Sequence, residues 1–426
     1  MSHNRCDVLI GGAGIAAAAM AIRLCALGFR PLLLATRCHV MPSVEALPQA
    51  ALALFTELGI EQVLHEAQAV MVDGFENRWV GDEVVVRSGS WIHLERSQLA
   101  KAAIREAVRR GSSLSICSAL PRISYESSAI VVVLDGVKLY FDAAVDATGR
   151  SALWSRPIHR KGNQVADIYR SPAESPWRGR IARDGSRWTY RLGLEHSGTV
   201  AIMAKDGKQR NLPDSSIQNA LGVSFPFEYA GRRPAFPQWC KNPVLKSRLA
   251  IGDAALAYDP LSGQGICFAL SSAFVASATI RTWRDAPLQR HKANRFYRDF
   301  VDQRRRRHLN FLDRAQETQV RPSPVPQQLP NMVVFSGGIE RAEVQIDATV
   351  SAQDVVRLQD NTRVRWLGTL DLLDLKKFAQ KPIGTQHLVN CLISPKCSRD
   401  EVVACIHWCI QYRVLTEQTQ SYETLS

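Results

Sequence analysis

The hydrophobic pattern at the start of the chain predicts a strand, a glycine turn and a helix. An apolar run closes at Ile10, glycines follow at positions 11, 12 and 14, and residues 16–27 have the composition of a helix. Gly28 ends that helix, and residues 31–34 supply a second buried strand. A similar succession returns far downstream: residues 248–252 read as a strand, 259–265 as a turn rich in proline and glycine, and 266–280 as a long helix of small residues. Between them, residues 141–151 read as a further strand that ends in a turn, and alternation over 187–192 and 199–204 predicts antiparallel strands. Phe296, Tyr297, Phe300 and Val301 then mark one apolar helix face. Residues 321–330 form a proline-rich polar linker. Beyond it, short helices are expected over 370–378, 385–392 and 398–410, with strands near 344–346 and 413–415. Ser398, with Glu401 three residues on, is a capping-box signature for the last helix.

The first glycine turn carries candidate chemistry. Gly12, Gly14 and Ala17 occupy the three positions of a G-x-G-x-x-G/A fingerprint, with Ala13 between the first two. The first glycine permits the tight turn, the second lets a pyrophosphate approach the backbone, and the small third residue lets helix pack on strand. The N-H groups at the start of the helix then face the phosphates. The acidic residue that normally grips the ribose should stand at the end of the second strand, where the chain has Ala35, Thr36 and Arg37. Thr36 and Arg37 are the candidate replacements, and Arg37 suits a phosphate or an adenine face better than a ribose diol.

The downstream succession indicates which dinucleotide. Gly252-Asp253, followed by D-P-L-S-G-Q-G at positions 259–265 and Ile266, resembles the second flavin motif of the FAD-dependent monooxygenases, the flavin-dependent halogenases and the geranylgeranyl-reductase group. The resemblance implies that Asp253 binds the ribityl chain and that Pro260, Gly263, Gly265 and Ile266 lie against the isoalloxazine. Residues 93–103 are similar to the R-x-x-L helix start of that family, whose arginine, here Arg96, reaches the cofactor. Residues 141–151 are similar to its D-A-T-G-R turn, so the likeness spans roughly residues 5–310.

Composition agrees with an enzyme of several domains. The chain has 426 residues, of which 46% are hydrophobic, enough for two or three globular domains. The apolar N-terminal segment carries Asp7 and Arg23 and lacks a lysine-rich start, so it reads as fold and not as a targeting signal. Taking no apolar run to be of membrane-spanning length, we expect a cytoplasmic protein with no membrane partner. Ten cysteines show no spacing of a disulfide framework. Cys391, Cys397, Cys405, His407 and Cys409 cluster, but their spacing is a poor match to a zinc knuckle, and no metal is expected.

The expected fold class is α/β. It combines a Rossmann-like FAD-binding domain (1–154 and 246–320), an inserted antiparallel β-sheet substrate domain (155–245), a linker (321–332) and a small C-terminal winged-helix-like domain (333–426). The insert concentrates Trp177, Trp188, Tyr190, Phe225, Phe227, Tyr229 and Trp239, which suits an aromatic substrate. The nearest run to the halogenase signature W-x-W-x-I-P is Trp188 to Leu192, which lacks the second Trp and the Ile-Pro and so favours oxygenation. FAD with O2 as co-substrate is the expected chemistry, the flavin being reduced by NAD(P)H directly or by a separate reductase. Glu45, His93 and Tyr258 are candidate bases by their proximity to the flavin motifs, and none is singled out.

Residues 290–307 hold eight Lys or Arg against Asp299 and Asp302, part of a net charge of +13. That basic helix and the appended C-terminal module are more easily explained by a macromolecular substrate than by a small phenol. The pattern resembles the peptidyl-tryptophan hydroxylases that build tryptophylquinone cofactors. This implies a protein or peptide substrate, with other maturation enzymes of the same pathway as further partners and nucleic acid disfavoured. The alternatives are a small-molecule aromatic hydroxylase or halogenase, a prenyl reductase, and a flavin-sensing regulator that binds DNA.

Overall fold

The computed structural model describes residues 6–36, 43–48, 51–78, 85–127, 129–171, 178–184, 187–195, 197–205, 215–221, 227–316, 329–346, 348–359, 361–367, 370–394 and 397–418. Two compact units divide the chain, Met1–Asn310 and Phe311–Ser426.

The first unit is organised by a parallel sheet. Strand β1 (Val8–Gly11) leads through α1 (Ile15–Ala26) to β2 (Pro31–Thr36). All four residues of β1 are buried, as a strand covered on both faces requires. Gly28, at φ +76°, closes α1 in a Schellman arrangement: its N-H reaches the Cys25 carbonyl at 3.0 Å, and the Phe29 N-H reaches Leu24 at 2.9 Å. Strand β3 (Val44–Pro48), α2 (Leu52–Leu58), α3 (Glu61–Glu66), β4 (Val70–Arg78) and β5 (Val85–Glu95) follow, and α4 (Arg96–Arg109) returns to β6 (Ser113–Cys117). A meander of β7 (Ser124–Glu126), β8 (Ala129–Leu134) and β9 (Val137–Phe141) precedes β10 (Ala143–Asp146). Ile130, Val132 and Phe141 from the meander pack with Leu9, Leu34, Ala144 and Trp154.

Residues 158–240 contribute β11 (Ile158–Arg160), β12 (Gln164–Ser171), β13 (Gly179–Asp184), β14 (Arg187–Leu194), β15 (Ser197–Lys205), α5 (Ser215–Leu221), β16 (Glu228–Pro234) and β17 (Gln238–Cys240). The chain then re-enters the parallel sheet through β18 (Val244–Leu245) and β19 (Arg248–Ala250). It continues through β20 (Leu256–Ala257) into α6 (Gly265–Asp285) and α7 (Arg290–Gln316). The order of the first sheet is β18-β19-β10-β1-β2-β6, all parallel except for the β18–β19 hairpin. Helix α6 is long and apolar enough to cross a membrane by length and composition, contrary to the sequence-based expectation. Two-thirds of its apolar window is buried, and it packs against α1, so its apolar face is the core of the unit. Small residues permit close packing here: a Cβ on Gly252, in the turn after β19, would lie 2.8 Å from the Ala16 Cβ of α1 and 3.8 Å from the Ala269 Cβ of α6.

The second sheet draws its strands from two of the expected segments. Its order is β16-β12-β15-β14-β13-β4-β5-β3, so three of its eight strands come from the segment assigned to the FAD-binding domain, and β13 pairs with β4 in parallel. The sheet also curls. The Val44 N-H of edge strand β3 donates to the Thr199 hydroxyl of β15 at 2.9 Å, and His93 of β5 meets the Gly193 carbonyl of β14 at 3.0 Å. Inside the curl lie Val44, Phe75, Ala166, Ile168, Trp188, Tyr190, Leu192, Ala201 and Met203. Tyr169, Ala182, Val200 and Ile202 face the other way and pack with Leu221 of α5. This is the period-two alternation of a sheet covered on both faces.

The second unit contains β21 (Met332–Phe335), the hairpin β22 (Gly338–Ile346) and β23 (Thr349–Arg357), β24 (Arg363–Val364), β25 (Trp366–Leu367) and β26 (Leu370–Asp371). Helix α8 (Leu372–Ala379), β27 (Ile383–Gly384), α9 (Thr385–Leu392), α10 (Arg399–Gln411) and β28 (Leu415–Glu417) complete it. Strand β21 pairs with β27 and β28, and Leu372, Leu375, Leu388, Val402, Ile406 and Leu415 form the core. Ser398 and Glu401 make the reciprocal capping box at the start of α10. Strand β21 begins inside the stretch read as linker, of which residues 321–328 lie outside the described residues. Cys397 and Cys409 are buried core residues, and Cys391 Sγ lies 3.7 Å from His387 Nε2. Among the described residues, no three His, Cys, Asp or Glu side chains gather as metal ligands.

Candidate active site

The glycine turn after β1 and the Gly252-Asp253 turn after β19 lie at the C-terminal ends of the parallel strands β1, β10 and β19, the edge of a parallel α/β sheet at which ligands bind. Gly12 has φ +123°, and a Cβ there would collide with the Ala147 carbonyl oxygen. Gly14 and Ala13 are exposed, and a Cβ on Gly14 would meet nothing within 4 Å. Helix α1 carries no side-chain cap, so its first N-H groups are left to a ligand. Ala17 is fully buried in the helix–sheet packing, where the fingerprint requires a small residue. Thr36 ends β2 beside Cys117, and Ala35 is buried, so neither residue offers a carboxylate to a ribose. Arg37 lies outside the described residues.

Asp253 stands in the turn after β19. Arg96, the first residue of α4, reaches its Oδ2 at 3.8 Å and Glu45 Oε1 at 3.4 Å. Glu45 is shared: Arg233 of β16 lies 3.6 Å from the same oxygen and donates to the Tyr190 hydroxyl at 3.2 Å and to Ser43 Oγ at 3.4 Å. Against the desolvation that lowers it, Tyr190 and Glu45 hold the Arg233 guanidinium above its ordinary value. Burial pushes the Tyr190 hydroxyl up, with Arg233 opposing.

Asp259 opens the second turn, accepting the Leu261 N-H at 2.9 Å, with Pro260 as the first residue of the short helical turn Pro260–Ser262. Burial raises the Asp259 carboxyl to about 6. The Asp259 N-H donates to His308 Nε2 at 3.0 Å, and burial lowers that imidazole to about 4. Gly263 has φ +60°, and Cβ atoms on Gly263 and Gly265 would meet nothing within 4 Å. Ile266 turns its side chain into the core, which leaves backbone for a ligand on this turn. Leu261 packs against the apolar, aromatic-rich cluster on this face of the curled sheet.

Of the three candidate bases, Glu45 sits in the arginine array. Tyr258 packs against Phe268 and His308, with ring centroids 5.4 and 4.5 Å away, and burial pushes its hydroxyl up to about 12. His93 is fully buried in the curled sheet. Of the seven aromatic residues singled out, Trp188 and Tyr190 line the curl, whereas Phe227 and Tyr229 pack on the opposite face. Trp239 belongs to another sheet, stacked on His159 at 6.0 Å. Trp177 and Phe225 lie outside the described residues. Phe75 and Trp91, 4.7 Å apart, supply the wall that sequence reasoning missed, and the alternation of Trp91 with His93 was the signal for it.

Arg150 was also missed, although its D-A-T-G-R turn had been marked. It donates to the Phe236 carbonyl at 2.7 Å and the Tyr258 carbonyl at 2.9 Å, tying its own turn to the segments that precede β17 and the Asp259 turn, and burial lowers its pKa. Asp146 of the same motif is structural: it accepts from the Thr148 N-H at 3.1 Å and hydroxyl at 2.6 Å, and from the Trp154 N-H at 2.8 Å. Open backbone at Gly14, Gly263 and Gly265, an uncapped helix and a carboxylate beside an arginine fit an extended flavin dinucleotide.

This chain has the fold of the flavin-dependent monooxygenases and halogenases. Among solved structures, the peptidyl tryptophan dihydroxylase QhpG, essential for tryptophylquinone cofactor biogenesis, aligns with 96% of this chain and 99% of its own, at 20% identity and a TM-score of 0.67. CmlS, a flavin-dependent halogenase, covers 98% of this chain and 96% of its own, at 15% identity and a TM-score of 0.70. PqsL, a probable FAD-dependent monooxygenase from Pseudomonas aeruginosa, covers 72% of this chain and 94% of its own, at 17% identity and a TM-score of 0.57. No family model matches the chain, and no curated protein matches it in sequence.

Proposed function

We propose that this protein is an FAD-dependent monooxygenase that hydroxylates an aromatic ring, a peptidyl tryptophan carried by a partner polypeptide, during maturation of a tryptophylquinone cofactor. The observation that carries the reading is the placement of Leu261, in the second flavin turn, against an interior walled by Phe75, Trp91, Trp188 and Tyr190. An aromatic substrate held there would lie beside the ring system of the cofactor.

Gly12, Ala13, Gly14 and the start of α1 would hold the pyrophosphate, Thr36 and Arg37 the adenosine end, Asp253 and Arg96 the ribityl chain, and residues 260–266 the isoalloxazine. Bound and reduced, FAD supplies activated oxygen for transfer to an electron-rich ring. The protein's own part is to orient that ring and exclude water, for which the buried aromatic cluster is suited. Glu45 keeps Arg96 and Arg233 in place between the two sites. Reduction would come from NAD(P)H or a separate reductase.

We read the second unit as a winged-helix-like docking module, and the exposed arginines of α7, such as Arg306, as a surface for an acidic polypeptide. The full-length structural likeness to QhpG, a peptidyl tryptophan dihydroxylase, supports a polypeptide over a free indole. The test supplies reduced holoprotein and oxygen to tryptophan-bearing polypeptides encoded beside it and weighs the products. A gain of one or two oxygen atoms supports the reading; a gain of halogen, or of hydrogen alone, overturns it.

A further inference from the structure

His93 has one nitrogen with no partner among the described residues, in a place where that is costly. Its ring is fully buried, and Nδ1 lies 3.0 Å from the Gly193 carbonyl oxygen. A carbonyl oxygen only accepts, so Nδ1 carries the proton and Nε2 presents a lone pair. No described residue donates to Nε2. Burial also pushes the imidazole below its ordinary value, which keeps the ring neutral and the lone pair available.

The surroundings define what would satisfy that lone pair. His93 and Trp91 occupy alternate positions of β5 and therefore share a face. The Phe75 ring stands edge-on to both, 6.1 Å from His93 and 4.7 Å from Trp91. Phe75 and Trp91 belong to the aromatic-rich cluster against which Leu261 packs. A ligand suited to these surroundings has a flat apolar body and a single N-H or O-H donor. Indole has that form. A hydrogen bond accepted from its N-H also raises the electron density of the ring, which favours electrophilic attack on carbon.

We propose that His93 Nε2 accepts the ring N-H of a bound indole and so selects an N-H-bearing aromatic substrate over an isostere without the donor. This rests on the aromatic-substrate reading above. The role is recognition, and the His93–Gly193 bond serves it by fixing the tautomer.

The test compares binding of N-acetyltryptophanamide with that of its benzothiophene analogue, in which sulfur replaces N-H, to the FAD-loaded protein. A site built around a donor rejects the analogue that lacks it, so a preference for the indole of about tenfold or more is expected. His93→Asn retains a donor toward the Gly193 carbonyl but does not reach the Nε2 position. In that variant the preference should fall to near unity, with FAD affinity and the unfolding midpoint close to the wild type. His93→Gln, which restores an acceptor at the longer reach, should recover part of it. Equal binding of both probes by the wild type, or an undiminished preference in His93→Asn, overturns the role of His93 and leaves the hydroxylase reading standing. Failure of the wild type to bind either probe removes the aromatic-substrate reading and this inference with it.

Discussion

Arg233 of β16 donates to the hydroxyl of Tyr190 on β14 at 3.2 Å, joining a buried aromatic wall to the arginine–carboxylate array that reaches Asp253. The contact links the two sites the account requires, one for the cofactor and one for the ring.

Removing that hydroxyl tests the link. Tyr190→Phe leaves Arg233 with Glu45 and Ser43, so the protein should fold and lose about 1.5–3 kcal/mol, the range for a hydrogen bond to a charged partner. A fall in urea midpoint at unchanged slope would register it.

Two glycines of the first turn should fail in different ways. Gly12→Ala combines φ +123° with a collision at the Ala147 carbonyl, so it should lower thermal stability before any question of ligand arises. Gly14→Ala enters open space at φ −88°, so the variant should fold normally. Its Cβ occupies room meant for the pyrophosphate, and FAD affinity should drop by about tenfold or more, roughly 1.4 kcal/mol. A flavin fluorescence titration separates the two cases.

Arg150→Ala should loosen the flavin turn. It strips the donor from the Phe236 and Tyr258 carbonyls, which predicts a loss of about 1–3 kcal/mol in unfolding free energy and weaker FAD binding. Arg150→Lys reaches at most one of the two carbonyls and should restore only part of the loss.

Asp259 predicts a pH dependence with a definite sign. Burial raises its carboxyl from 3.8 to about 6, so between those values the folded protein holds a proton that the unfolded chain has released. The stabilisation is full below the unfolded value and is lost as pH rises through about 6, amounting to at most about 3 kcal/mol at about 1.4 per unit. His308, lowered from 6.5 to about 4, acts in the opposite sense: its contribution is full above 6.5 and is lost as pH falls toward 4. The difference between wild type and Asp259→Asn, measured by denaturant unfolding from pH 4 to 7, isolates the Asp259 part. The variant should gain relative stability as pH rises.

What the sequence made legible follows the range of the interactions. Gly12, Gly14, Asp253 and Gly263 lie in local turns, where φ, capping and strand–turn–helix order leave a short-range pattern, and the structure brings the turns after β1 and β19 to one sheet edge. The capping box of α10 was legible for the same reason. The wall of Phe75 and Trp91 left only the alternation of β5 as a signal, and its place in one sheet with Trp188 and Tyr190 depends on β4 pairing in parallel with β13, about a hundred residues downstream. Arg233 and Glu45 meet through the curl of that sheet, which no local periodicity encodes. Arg150 lay inside a motif already marked, but its two carbonyl partners are distant in sequence and gave it no separate signal.

The central claim, oxygen transfer to an aromatic ring on a polypeptide, is tested most directly by a single turnover under isotopically heavy oxygen gas. Reduced holoprotein is mixed with a tryptophan-bearing partner polypeptide, and the product is fragmented in a mass spectrometer. The account predicts heavy oxygen on the tryptophan ring, one or two atoms per chain. Ordinary oxygen taken from water, or a polypeptide unchanged while peroxide accumulates, would contradict it.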